Sequence, residues 1–119
     1  MDKQVFIEEF KQADSKTDGA WIFNVINKSI VANLPDGNPR GHRNLIITME
    51  ELSELSQEVS KQLRVDGDYF KLLQELADVQ LGLYYIQQIC NISDDALHKA
   101  INVKMRRVEN KLNEEGQYR

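Results

Sequence analysis

Apolar residues recur along this chain at helical intervals, and the pattern breaks only where turn-forming residues cluster. Val5, Phe6 and Phe10 predict a short amphipathic helix over about Lys3 to Ala13, followed by a polar segment from Asp14 to Gly19. Trp21, Val25, Ile26 and Ile30 then mark a second helix, which Pro35-Asp36-Gly37-Asn38-Pro39 ends in a loop. From about Arg43 to Leu63, Leu45, Met49, Leu52, Val59 and Leu63 keep one stripe at spacings of three, four and seven, so a long helix is expected there. Asp66-Gly67-Asp68 supplies a turn. A fourth helix starts near Asp68 as N-cap and carries Tyr69, Leu72, Leu76, Leu83 and Cys90. Ser93-Asp94-Asp95 opens a last helix whose apolar face is Leu97, Ile101, Val108 and Leu112, with fraying expected from Glu114.

Helices three and four should form an antiparallel hairpin, because only a short turn separates them. Each carries a copy of one pattern, Glu51-Leu52-Ser53-Glu54-Leu55 and Glu75-Leu76-Ala77-Asp78-Val79. Residues three apart share a helix face, so each copy projects two carboxylates side by side. The pairs lie at matching distances from the turn, which sets Glu51, Glu54, Glu75 and Asp78 at one height. Glu58 shares the sector of Glu51 and Glu54, Gly82 holds the equivalent offset on the other helix, and Glu50 turns away. A Glu-x-x-Glu repeat alone usually marks a solvated face. Here both pairs flank apolar stripes, and no Lys or Arg lies within Glu50 to Glu58 or Glu75 to Ile92, so divalent cations are the simplest compensation.

Length and composition fit one helical domain over residues 1–119, with a motif-bearing core of about 43–112. The single Cys90 excludes an internal disulfide, no apolar run reaches the roughly 18 residues of a membrane span, and the start carries no basic, apolar signal. A cytoplasmic setting is the expectation. A net charge of −4 argues against a nucleic-acid polymer as partner.

At Glu50-Glu51-Leu52-Ser53-Glu54 and Glu75-Leu76-Ala77-Asp78 the chain resembles the MazG-like, all-α nucleoside triphosphate pyrophosphohydrolases, whose hallmark is Glu-Glu-x-x-Glu followed by Glu-x-x-Asp. The likeness covers roughly residues 43–112 and leaves the first forty with little to add. It implies cleavage of a nucleoside triphosphate between the α and β phosphates, giving the monophosphate and pyrophosphate, with magnesium or manganese held by Glu51, Glu54, Glu75 and Asp78. It also implies a dimer or tetramer, in keeping with helices too long to bury every stripe within one short chain. The expected architecture is an all-α bundle built on the acidic hairpin and completed by oligomerisation.

Further candidates surround this set. Glu58 is an extra ligand or a water-orienting base, and Lys104 and Arg107, with Lys111 on the same sector, are candidate grips for the triphosphate. Tyr85, with Trp21 or Phe23, is a candidate wall for base stacking, although core packing is the commoner role of such rings. His42 and His98 lack the paired Glu-x-x-His motifs of helical di-iron sites, and Ser56 and Cys90 lack a base for nucleophilic catalysis. Two rival readings remain at the level of sequence: a non-catalytic helical module that dimerises through its stripes, and a phosphoribosyl-ATP pyrophosphohydrolase of similar build.

Overall fold

The computed structural model describes residues 1–33, 42–64 and 66–115. They form five helices: α1 (Lys3–Gln12), α2 (Gly19–Asn33), α3 (His42–Gln62), α4 (Tyr69–Ile89) and α5 (Asp94–Glu115). Among the described residues no strand occurs and no helix is long and apolar enough to cross a membrane. The Pro35 to Pro39 loop and most of the expected frayed tail lie outside the described residues.

Side chains set the helix ends. Asp2 caps α1 by accepting from the Gln4 and Val5 amides, Asp18 caps α2 through Ala20, and Asp68 caps α4 through Lys71 at 3.1 Å. Ser93 caps α5 by accepting from the Ala96 amide at 3.1 Å. Helix α4 ends with Asn91 in the left-handed region at φ 60° and the Ile92 amide donating back to the Gln87 carbonyl at 2.8 Å, which closes the last turn.

The hairpin of α3 and α4 is the main packing unit, with α2 laid across both and α1 against α4. Ring contacts join α1 to α4, Phe10 standing edge-on to Phe70 at 5.7 Å, and Lys3 bonds Asp68 at 2.9 Å. Helix α5 joins through its first turns, where Gln87 donates to Asp94 at 2.9 Å and a cavity of about 500 Å³ opens between Phe23, Leu83, Leu97 and Ile101.

The interior inverts the expected polarity. Among the described residues, the buried apolar side chains are Ile26 and Val79, whereas Asn44, Thr48, Glu58, Gln74, Glu75 and Gln87 are all buried polar groups. Much of the two predicted leucine stripes points outward: Leu52, Leu76 and Leu83 are exposed and Leu63 is 87% exposed, while Leu45 and Leu72 are half-buried. The face of α3 that meets α4 runs through Asn44, Thr48, Glu51, Leu55 and Glu58, a three-and-four spacing carried mostly by polar residues. A stripe found by hydrophobicity alone therefore misses it. Gly82 permits the close approach, since a Cβ there would lie 2.8 Å from the Thr48 methyl carbon.

Candidate metal centre

The antiparallel hairpin brings the two acidic pairs to one height, as their spacing from the turn requires. Glu54 lies within the field of Glu75 and Asp78, and Glu51 within that of Asp78, Glu54 and Glu75. Glu75 is buried with 1% exposure, Glu51 and Asp78 are half-buried, and Glu54 is exposed at the mouth. Glu54, Glu58, Glu75 and Asp78 line one cavity of about 430 Å³ together with Lys61, Lys71 and Gln74.

Crowding of like charge shows in the proton affinities. Burial first, and then Asp78, Glu54 and Glu75, push the Glu51 carboxyl from its ordinary 4.5 up to about 7. The neighbouring charge of Glu75 is the main cause that raises Glu54, against a smaller opposing pull from Lys71. Asp78 is raised by burial and by Glu75, with the amino terminus and Lys71 acting the other way. Lys71 is raised by its bond to Glu75.

Two lysines correct the expectation that the acids have no basic partner. Lys71 Nζ stands 3.0 Å from Glu75 Oε1, and Lys61 Nζ stands 3.1 Å from Glu58 Oε1. Both lie one turn beyond the segments in which Lys and Arg were absent, at the i−4 and i+3 positions from which a helical side chain reaches an acid. They compensate only part of the charge. Glu51, Glu54, Glu58, Glu75 and Asp78 outnumber these two ammoniums by three negative charges when all are ionised.

Glu58 and Gly82, although equivalent in sequence offset, lie at opposite ends of the cluster because the helices run antiparallel. Glu58 faces the turn end beside Lys61, Lys71 and Gln74, while Gly82 meets Thr48 at the far end. That far end holds a second cavity of about 340 Å³, lined by Asn44, Thr48, Glu51, Gly82 and Tyr85. Tyr85 donates to Ser29 Oγ at 2.8 Å and shares a further small apolar cavity with Trp21, whereas Phe23 lines the separate cavity by α5. Lys104 and Arg107 are exposed on α5, which does not pack on α3, and neither lines the acidic cavity. His98 is exposed near the start of α5, and the side chain of His42 lies outside the described residues.

Sequence reasoning placed the first helix but not the part that the N-terminal segment plays in the site, and it missed the polar shell. Met1 lines the acidic cavity, and its carbonyl accepts from Gln74 Nε2 at 3.0 Å. Asn44, Thr48 and Gln74 sit at three-and-four spacings from the acids, a signal that was present but not apolar.

The donor set suits a hard cation. Among the described residues, no three acids, histidines or cysteines converge closely enough to hold an ion as they stand. Yet Glu58 Oε2, Glu75 Oε2 and Gln74 Oε1 are buried without a hydrogen-bond partner, all on residues lining the same cavity. Three unmatched acceptor oxygens amid surplus negative charge fit a magnesium-class ion, which takes carboxylate and amide oxygens. No family model, curated protein or solved structure matches the chain, so the resemblance to the MazG-like enzymes rests on the motif residues themselves.

Proposed function

We propose that the hairpin is the catalytic centre of a metal-dependent nucleotide pyrophosphohydrolase, splitting a nucleoside triphosphate between its α and β phosphates. The observation that carries this reading is the facing of Glu51 and Glu54 with Glu75 and Asp78 across one antiparallel helix pair, beside buried carboxylate oxygens that no protein donor satisfies. Glu51, Glu54, Glu75 and Asp78 would hold magnesium or manganese. That ion, when bound, supplies positive charge to the triphosphate oxygens and acidity to a hydrolytic water. Glu54, exposed at the mouth, would meet the ion from the solvent side, and buried Glu75 and half-buried Asp78 would meet it from within.

The nucleoside end is assigned to the cavity that shares Glu51, where the half-buried Tyr85 ring would supply a flat wall. Lys104 and Arg107 reach no phosphate position within one chain, so their proposed grip requires a second copy to present α5. The exposed stripes on α3, α4 and α5 favour such self-association as a dimer or tetramer.

Incubation of the protein with a panel of nucleoside triphosphates and magnesium should release pyrophosphate and the monophosphate. Glu54→Gln and Asp78→Asn should each lower the rate at least about 100-fold, the scale on which removing one charge-stabilising group acts. Absence of pyrophosphate release, or unchanged rates in both variants, defeats the proposal. The rival reading, a helical interaction module without catalysis, predicts no magnesium-dependent rise in melting temperature.

A further inference from the structure

We infer that Glu58 forms a second, turn-side cation position with Glu54 and Glu75, and that Lys61 and Lys71 are built-in counter-ions which a divalent cation displaces from it. This rests on the proposed metal centre and extends it beyond the two acidic motifs. Glu58 belongs to neither motif, yet it is buried with 4% exposure and lines the same cavity as Glu54 and Glu75. Each lysine occupies a single oxygen of its glutamate, Oε1 in both cases, and leaves the buried Oε2 without a donor. Gln74 adds a neutral acceptor: its amide nitrogen is spent on the Met1 carbonyl, and its Oε1 is left unmatched. Three unpartnered acceptors belong to residues that line one cavity, and its two ammoniums are each held on an Oε1, which leaves a demand for a cation.

Exposure decides which partner moves. The Lys61 and Lys71 side chains are 40% and 41% exposed, while those of Glu58 and Glu75 are 6% and 2% exposed. A lysine that releases its carboxylate swings its ammonium into water at little cost, whereas the carboxylates have no such alternative. One divalent ion carries the charge of the two ammoniums it replaces, so the surplus among the five acids is unchanged, but it delivers that charge at a single point and meets carboxylate oxygens that the lysines leave unpaired. The same exchange accounts for the splayed acids: with a lysine on each buried glutamate, the carboxylates have no common centre to close upon. Once displaced, both ammoniums stand at the rim, where a polyphosphate chain approaches.

Manganese titration followed by electron paramagnetic resonance tests this without any substrate, with circular dichroism verifying that each variant is helical. Lys61→Met and Lys71→Met should each bind Mn2+ about fivefold tighter or more, the effect of removing one competing unit charge at contact range even under water's screening. Glu58→Gln should lose one bound Mn2+ per chain and keep the remainder. Lysine variants that bind Mn2+ no tighter than wild type, or a Glu58→Gln protein with an unchanged ion count, overturn the inference and leave water as the partner of the orphaned oxygens. Should Lys71→Met fail to fold, Lys61→Met and Glu58→Gln decide the matter alone. An ion lost in Asp78→Asn but not in Glu58→Gln defeats this inference only, whereas a wild type that binds no Mn2+ defeats the proposed function with it.

Discussion

The groove between α3 and α4 and the outer faces of α4 and α5 use opposite chemistry from what position in a fold usually dictates. The groove buries Thr48, Glu58, Gln74 and Glu75, while Leu83, Ile101, Met105 and Leu112 stand exposed outside it. Burying charge costs free energy unless it is paired, and leaving leucines wet forgoes the hydrophobic gain, so both regions oppose the stability of the lone chain. A groove lined by carboxylates has no room for a leucine core, and the apolar side chains are left on the outer faces. The residues that line the acidic groove and those that leave apolar surface exposed are therefore separable by mutation.

The largest effect should come from the apolar side. Helix α5 spans 22 residues, packs on its neighbours only at its start, and keeps Ile101 and Leu112 exposed at 46% and 47%. A helix with so little packing is marginal in water. Ile101→Asp with Leu112→Asp should convert the proposed assembly to monomers in analytical ultracentrifugation and reduce the helical circular dichroism signal, while Mn2+ binding at the hairpin persists. A wild type that sediments as a monomer with α5 fully helical would break the contrast.

The next effect lies at the groove floor. Ala is the better helix former by about 1 kcal/mol, yet a Cβ on Gly82 would meet the Thr48 methyl at 2.8 Å, and such overpacking costs about 1–3 kcal/mol. Gly82→Ala should therefore destabilise by up to about 2 kcal/mol in denaturant melts, by overpacking less propensity. Thr48→Ala should recover most of that loss in the double variant. Additive effects of the two substitutions would show that the close approach carries no energy.

What the sequence made legible divides along the same line. Helix boundaries followed from caps and turns: the expected span of about Arg43 to Leu63 is α3 (His42–Gln62), and Asp68 does cap α4. The height match of the acidic pairs also followed, because rise per residue and antiparallel direction fix it. The buried face did not. Hydrophobic periodicity selects the side a helix prefers to hide, and here Leu52, Leu63 and Leu76 lost that side to Glu51, Glu58 and Glu75. Lys61 and Lys71 escaped notice because compensation was sought inside the motifs rather than one turn beyond. Gln74 and Met1 meet across 73 positions, a pairing no local pattern encodes.

The smallest effect sharpens the comparison by pH. Glu51 keeps its proton up to about 7 in the folded chain against an ordinary 4.5, so between these values the folded state binds more protons than the unfolded. Stability of the metal-free protein should then fall as pH rises through that window and level off above it, with Glu54 and Asp78, also raised, acting in the same direction. Glu51 is only half-buried, so solvent screening holds the change to on the order of 1 kcal/mol, a few degrees in Tm. Glu54→Gln removes the partner of Glu75 in this repulsion and should raise the metal-free Tm above pH 7 while abolishing most of the gain from magnesium. In wild type that gain should grow with pH, since the ion competes with protons for the same oxygens. A melting temperature that is flat from pH 5 to 8, with or without Glu54, would mean that the groove is ordinary solvated surface and that its contrast with the apolar faces has no energetic content.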